Sequence, residues 1–434
     1  MTDKIEAIAQ EKRARVKAGL AKRRGKERRF RWYGITSIFL AFTFLVLLIG
    51  SIVTQGYTAF YTTEIRLTVD LSEQSLGIEG KPLNNETLEY LSYRSVLAKA
   101  VFNAMPDVTS RSDKRDLFRF ISTGAEYDLR DRVAANPNLV GQKIEIWALA
   151  GDNVNQFNKG NIDGKLPESN RQFKDKQISW FNQLKDDDRV RTVFNTRFFT
   201  NGDSRDAELA GIWGATVGSF YTLLVTLALS FPIGVAAAIY LEEFAPRNRI
   251  TEIIEININN LAAVPSIVFG LLGLAVFLNF ADLPRSAPVV GGLVLTLMTL
   301  PTIIISSRSA IKAVPPSVRD AALGVGASKM QMVIHHVLPL AMPGMLTGTI
   351  IGMAQALGET APLLMIGMIA FIVDVPSGPL DAATALPVQI YLWAENPEKG
   401  FVENTSGAIM VLLTFLAFMN ACAVIMRKRL ERRW

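Results

Sequence analysis

The sequence predicts an all-α polytopic membrane protein of six transmembrane helices, interrupted by one α+β domain on the extracytoplasmic side. Three observations carry that reading. Residues 32–63, 209–241, 256–281, 286–307, 330–358 and 404–426 contain no Asp, Glu, Lys or Arg. Each run exceeds the roughly 20 residues that a helix needs to cross a bilayer core. Between the first two runs, residues 64–208 hold 21 basic and 23 acidic side chains, the near balance of a folded soluble domain. Both ends of the 434-residue chain are basic, and basic flanks favour the cytoplasmic side.

Residues 1–31 carry twelve Lys or Arg with no apolar core among them, so a signal peptide is not expected there. Beside a membrane span, such a segment is read as a cytoplasmic anchor for anionic lipid rather than a nucleic-acid arm. Trp32 and Tyr33 stand where interfacial aromatics belong. The first span is placed at 32–56, the soluble domain at 64–208, a five-helix core at 209–426 and a basic cytoplasmic tail at 427–434.

Within the soluble domain, residues 64–71 alternate as a half-buried strand does, and 142–150 read as another. Asn85 can cap a helix burying Leu88, Leu91, Leu97, Val101 and Phe102. Ser112 can cap a second helix running towards Val133. The domain has no His or Cys, and neither a metal-ligand cluster nor a nucleophile–base set is found in it. In the core, spans are expected at 211–240, 253–279, 288–309, 345–373 and 404–426. Cys422, the single cysteine, is expected to pack as a buried thiol.

Residues 315–343 form the stretch around which the core is organised. Ser317 with Asp320, and Ser328 with Gln331, have the spacing of helix capping boxes. Gly324 and Gly326 supply a turn between two short helices, the second ending before Leu338-Pro339. Ala321, Ala322, Gly326 and Ala327 with the row Met330, Ile334 and Val337 make a surface suited to a groove on another protein. His335 and His336 are consecutive, point about 100° apart, and are expected on a solvated face rather than as metal ligands.

Asp320-Ala321-Ala322, three residues, Gly326, nine residues, then His336-Val337-Leu338-Pro339 resembles the cytoplasmic loop of ABC importer permeases, with Asp320 in place of Glu and His336 in place of Ile. The resemblance implies that the loop, bounded at 312–340, docks on a separate ATP-hydrolysing subunit. No Walker-type phosphate loop occurs in the chain, so the chain is not expected to be an enzyme or to bind a cofactor or metal; ATP belongs to the partner. Residues 261–270 and 358–364 are similar to signatures of phosphate-specific permeases, and 386–391 to the PstA-type member. That family implies a second permease subunit (PstC-type), an ATP-binding subunit (PstB-type) and an extracytoplasmic phosphate-binding protein (PstS-type). It also implies inorganic phosphate as cargo and residence in the bacterial inner membrane.

Ionisable groups inside spans are costly and mark candidate sites. Arg308 is the clearest cation, its planar fork matching phosphate oxygens; the competing reading has it reaching the inner interface. Glu359 can accept from the P–OH of protonated phosphate and repel a fully ionised oxyanion, or it pairs with Arg308 as a buried salt bridge. Thr360, Asn260 and Gln355 are weaker path candidates; relatives often carry Arg at the position of Gln355. Permeation of another oxyanion, such as sulfate or molybdate, and a membrane-anchored sensor are the alternative functions.

Overall fold

The computed structural model describes residues 2–78 and 91–430; Asn85 and Leu88 lie outside them. Residues 1–55 form one compact unit and 56–434 another. The first unit lies in the helix α1, Thr2–Gly56; from Arg23 through the 3-10 turn that ends at Phe60 the chain is long and apolar enough to cross a membrane.

In the second unit, β1 (Tyr61–Asp70) is the middle strand of a three-stranded antiparallel sheet in the order β2-β1-β3. Short α2 (Glu73–Leu76) and α3 (Tyr93–Ala104) follow. Val96, Leu97, Ala100 and Val101 of α3 are buried, giving the expected apolar face. The single helix expected from Ser112 to Val133 is instead two, α4 (Arg111–Phe118) and α5 (Gly124–Ala135). The break arises because Ile121 forms a bridge to Ala150, and the Ser122 N–H donates to the Leu149 carbonyl. Strand β2 (Lys143–Leu149) pairs with β1 from Glu64↔Leu149 to Asp70↔Lys143. Helices α6 (Asp152–Asn158) and α7 (Asp175–Asp186) precede β3 (Val190–Phe194) and α8 (Thr196–Thr200). A core including Ile65, Leu67, Leu97, Leu117, Phe120 and Phe173 closes the α+β insert.

The insert is joined to the last span and to the short helix before it by polar contacts. Lys159 lies 3.0 Å from Glu403, their side chains only 5% and 3% exposed. Gln156 Nε2 donates to the same carboxylate at 2.5 Å. Trp393 Nε1 donates to Asp203 at 2.9 Å, and Asn404 Nδ2 to the Ala207 carbonyl at 2.7 Å.

The membrane core follows. Helix α9 (Trp213–Ile239) carries Pro232 and ends in a wider π-turn, Tyr240–Phe244. The expected straight span at 253–279 is instead α10 (Arg249–Leu261) followed by α11 (Ser266–Gly273) and a π-helical continuation to Phe280, bent by 101°. The bend falls just before Ser266, where Pro265 is extended at the start of α11 and disfavours helix in the residue before it. Helix α12 (Pro288–Lys312) leads to the loop helices α13 (Pro316–Gly324) and α14 (Lys329–Met332). The chain then stays helical through a π-turn, Val333–Val337, into α15 (Leu338–Gly358). Short α16 (Ala361–Met365), α17 (Leu386–Ala394) and α18 (Lys399–Leu430) complete the fold. Among the described residues, five helices are long and apolar enough to span a membrane, and six spans result when the bent pair counts as one. Cys422 is exposed on α18, not buried as expected, because α18 leaves one side uncovered by the chain itself.

Candidate functional site

The loop between α12 and α15 is built from two local rules. Ser328 forms the expected capping box: its hydroxyl accepts from the Gln331 N–H at 3.3 Å, and Gln331 Oε1 accepts from the Ser328 N–H at 2.9 Å. The other expected box is absent, since α13 begins at Pro316 and no side-chain bond caps it. Proline at the first helical position needs no N–H partner, which moves the start ahead of Ser317. Gly326 ends α13 with φ +89°. Its N–H donates to the Leu323 carbonyl at 3.0 Å, and the Ala327 N–H to Ala322 at 3.1 Å, the paired bonds of a Schellman turn. Gly324 stays in the helix. The second helix does not stop before Leu338-Pro339, because the π-turn absorbs the proline's missing donor.

These turns sort the loop into two faces. Ala322, Met332, Val333 and Val337 are buried against Val235, Ala238, Ile311 and Met345 at the ends of the spans. Ala322 and Val337 therefore face inward, contrary to the expected outward surface. Leu323, Val325, Met330 and Ile334 face out, Val325 being 85% exposed. Asp320, Ala321 and Gly326 are also exposed, as are His335 and His336, while Leu338 and Pro339 are half-buried. The outcome is an apolar row on a polar loop at the end of three spans, shaped to meet a protein surface.

A second site lies where two broken spans meet. A Cβ on Gly270 of α11 would come 2.7 Å from Pro362 Cα and 2.9 Å from Met365 Cβ of α16. Glycine alone permits that approach, so two signature stretches some ninety residues apart in sequence are packed together. Helix α15 ends at Gly358, and Glu359 is extended with φ −79° and ψ 121°. Because the helix starts well before Met345, Glu359 sits about 30 Å along it from Leu338. Glu359 and Thr360 are half-buried at this break, and Gln355 and Asn260 are exposed.

Arg308 is engaged by two carboxylates. Its Nε donates to Glu242 at 2.5 Å and its Nη2 lies 2.7 Å from Glu255. It does not pair with Glu359. Sequence reasoning missed Glu242 because it flanks a charge-free run and reads as part of a turn, and Glu255 because it falls in the first residues of the expected span at 253–279. Among the described residues, no group of three or more His, Cys, Asp or Glu could hold a metal ion.

Comparison with known proteins fits this geometry. A family model described as a binding-protein-dependent transport system inner membrane component matches residues 230–434, and one described as a domain of unknown function (DUF3333) matches 17–168. The phosphate transport system permease protein PstA 1 of Mycobacterium tuberculosis (strain ATCC 25618 / H37Rv) is 31% identical over 225 residues, 51% of this chain and 71% of that protein. The probable ABC transporter permease protein YqgI of Bacillus subtilis (strain 168) is 34% identical over 169 residues; the match covers 39% of this chain and 57% of that protein's length. Among solved structures, an inward-facing MetNI methionine ABC transporter aligns with a TM-score of 0.41 at 18% identity, covering 51% of this chain and 98% of that one. The spans, the family model over residues 230–434 and the permease relatives define a multi-pass inner-membrane permease component of an ABC transport system. Within that class, the chain belongs to the PstA-type permease family.

Proposed function

We propose that the chain is one of two permease subunits of an importer that moves inorganic phosphate into the cytoplasm. It would be driven by a separate ATP-binding subunit of the PstB type, paired with a PstC-type permease, and fed by an extracytoplasmic PstS-type phosphate-binding protein. The observation that carries this reading is the exposed row Leu323, Val325, Met330 and Ile334 on the loop of a PstA-family chain. Arg247, Arg249, Lys312, Arg319 and Lys329 lie on the turns and loop at the same side, which supports cytoplasmic placement of that loop and of both termini.

The path is assigned to the break between the spans. Glu359 and Thr360 supply acceptor and hydroxyl beside the Gly270–Pro362 contact, with Asn260 and Gln355 as exposed polar partners. Arg308 is reassigned from substrate contact to an ion-pair role, since its Nε and Nη2 are taken by Glu242 and Glu255. The test is ATP-driven uptake of phosphate by the reconstituted complex in competition with sulfate and molybdate. Uptake resistant to both anions is expected; sulfate or molybdate transported in preference would overturn the cargo. Glu359→Gln should abolish most phosphate uptake and weaken rejection of sulfate while the complex assembles. Neutralising Arg308 should not rescue it, because the two are not paired.

A further inference from the structure

The inner end of α9 carries two consecutive glutamates in its π-turn, and each is engaged by a different part of the machine. Consecutive helical side chains point to different sides, and a π-turn widens the helix at that place, a distortion frequent at functional sites. Glu243, facing the loop, accepts from Arg319 Nε at 3.0 Å and Nη2 at 2.8 Å. The remaining donors of Arg319 reach back to the end of α12, Nη1 to the Val314 carbonyl at 2.7 Å and Nη2 to the Ile311 carbonyl at 2.9 Å. Arg319 is the residue next to Asp320 of the docking loop, so its fork fixes the first turn of α13 against two spans at once. Lys329 at the start of α14 sits over the Phe244 ring at 5.2 Å, tying the second loop helix to the same turn.

Glu242 faces the other way. It accepts from Arg308 at 2.5 Å and lies 3.2 Å from Lys312, both on α12. Arg308 in turn holds Glu255 of α10 at 2.7 Å, on the helix that carries Asn257 and Asn260 and ends at the break in the span. Two sets of charged contacts, Arg319–Glu243 and Glu242–Arg308–Glu255, are therefore joined by the backbone of the π-turn between Glu242 and Glu243, and together they run from the docking loop to the first half of the broken span. Lys312, which is mostly exposed, lies beside this series rather than within it.

We infer that Glu242 and Glu243 are positioning residues that transmit the pose of the docking loop to α10, so that engagement of the ATPase changes the break between α10 and α11. The inference rests on reading the loop as the ATPase-docking surface. A charge at each step resists being left unpaired in a half-buried setting, which forces the elements to move together rather than independently.

The experiment uses the reconstituted complex and reads phosphate transported per ATP hydrolysed, together with cross-linking of Val325→Cys to the ATPase. In Glu243→Gln, the ratio should fall at least fivefold while the cross-link persists, since Glu243 is not on the docking face. The exchange Glu243→Arg with Arg319→Glu should restore the ratio to within about twofold, which general damage to the fold would not allow. Glu242→Gln should lower the ratio with loop docking intact, separating the two halves of the series. A wild-type ratio in Glu243→Gln, or a charge exchange that fails to restore ratio and assembly, would overturn the relay. Absence of the Val325→Cys cross-link in the unaltered complex would instead overturn the docking reading beneath it.

Discussion

Two polar joints hold this molecule together, one at each end of the spans, and they are built differently. At one end, Lys159 and Glu403 are almost entirely buried, and Asn404 and Trp393 add bonds to the Ala207 carbonyl and Asp203. At the other end, Arg319 is 21% exposed beside Glu243, Glu255 is 37% exposed beside Arg308, and the supporting turn is π-helical. A dry ion pair has no water to replace either partner, so it locks its elements in one arrangement. A half-wet one stays paired but lets its partners shift together at modest cost. The insert is thus fixed to the last span, whereas the loop's partly wet pairs let it shift with the span ends.

That contrast breaks first at Glu403. Glu403→Leu strands the Lys159 charge in a dry site and should cost about 3–5 kcal/mol. Thermal melting of the purified protein checks it, and adding Lys159→Met should recover most of the loss. Undiminished stability in the single variant would show that this joint is wet.

The same joint should respond to pH. Burial pushes Asp152 up to about 6 and Glu208 up to about 7. A carboxyl with a raised folded pKa binds its proton more tightly in the folded state, so stability is highest below the unfolded value. It declines as pH rises from about 4 towards 7 and stays low above that. The Asp152 shift corresponds to at most about 3 kcal/mol. Asp152→Asn and Glu208→Gln should each raise the melting temperature at pH 7.5 and flatten the pH profile. Equal gains at pH 4 and pH 7.5 would contradict that cause.

Within the spans, Gly270→Val forces side-chain atoms onto Pro362 and should cost about 1–3 kcal/mol, with loss of transport exceeding loss of assembly. The smallest effect belongs to the wet joint: Lys312→Ala should change stability by less than about 1 kcal/mol, and less still at high salt. A salt-independent loss of several kcal/mol would place Lys312 inside the charged series.

Much of this was legible in one dimension because hydrocarbon excludes charge, so the spans announce themselves as charge-free runs. Strand β1, the Ser328 box and the Gly326 turn were legible for local reasons, each being decided within a few residues. The break before Ser266 was not, because the charge-free run passes straight through it and only Pro265 signals a bend. Strand β3 was hidden by its short, mixed composition. The inward faces of Ala322 and Val337 depend on spans far away in sequence, as does the capture of Arg308 by Glu242, 66 residues distant. The path residues Glu359, Thr360, Asn260 and Gln355 stand out in the sequence because polar groups are costly inside a span.

Coupling through the exposed loop is the claim on which the rest depends, and Gly326 tests it most directly. Its φ of +89° disfavours any β-branched side chain, yet a Cβ there would meet no neighbouring atom within 4 Å, so Gly326→Val acts on the turn alone. The measurement is ATP hydrolysis by the reconstituted complex, stimulated by phosphate-loaded binding protein, in wild type and Gly326→Val. Stimulation should fall at least tenfold in the variant, together with uptake, while the protein inserts at the wild-type level. Wild-type stimulation in Gly326→Val would contradict docking through this loop.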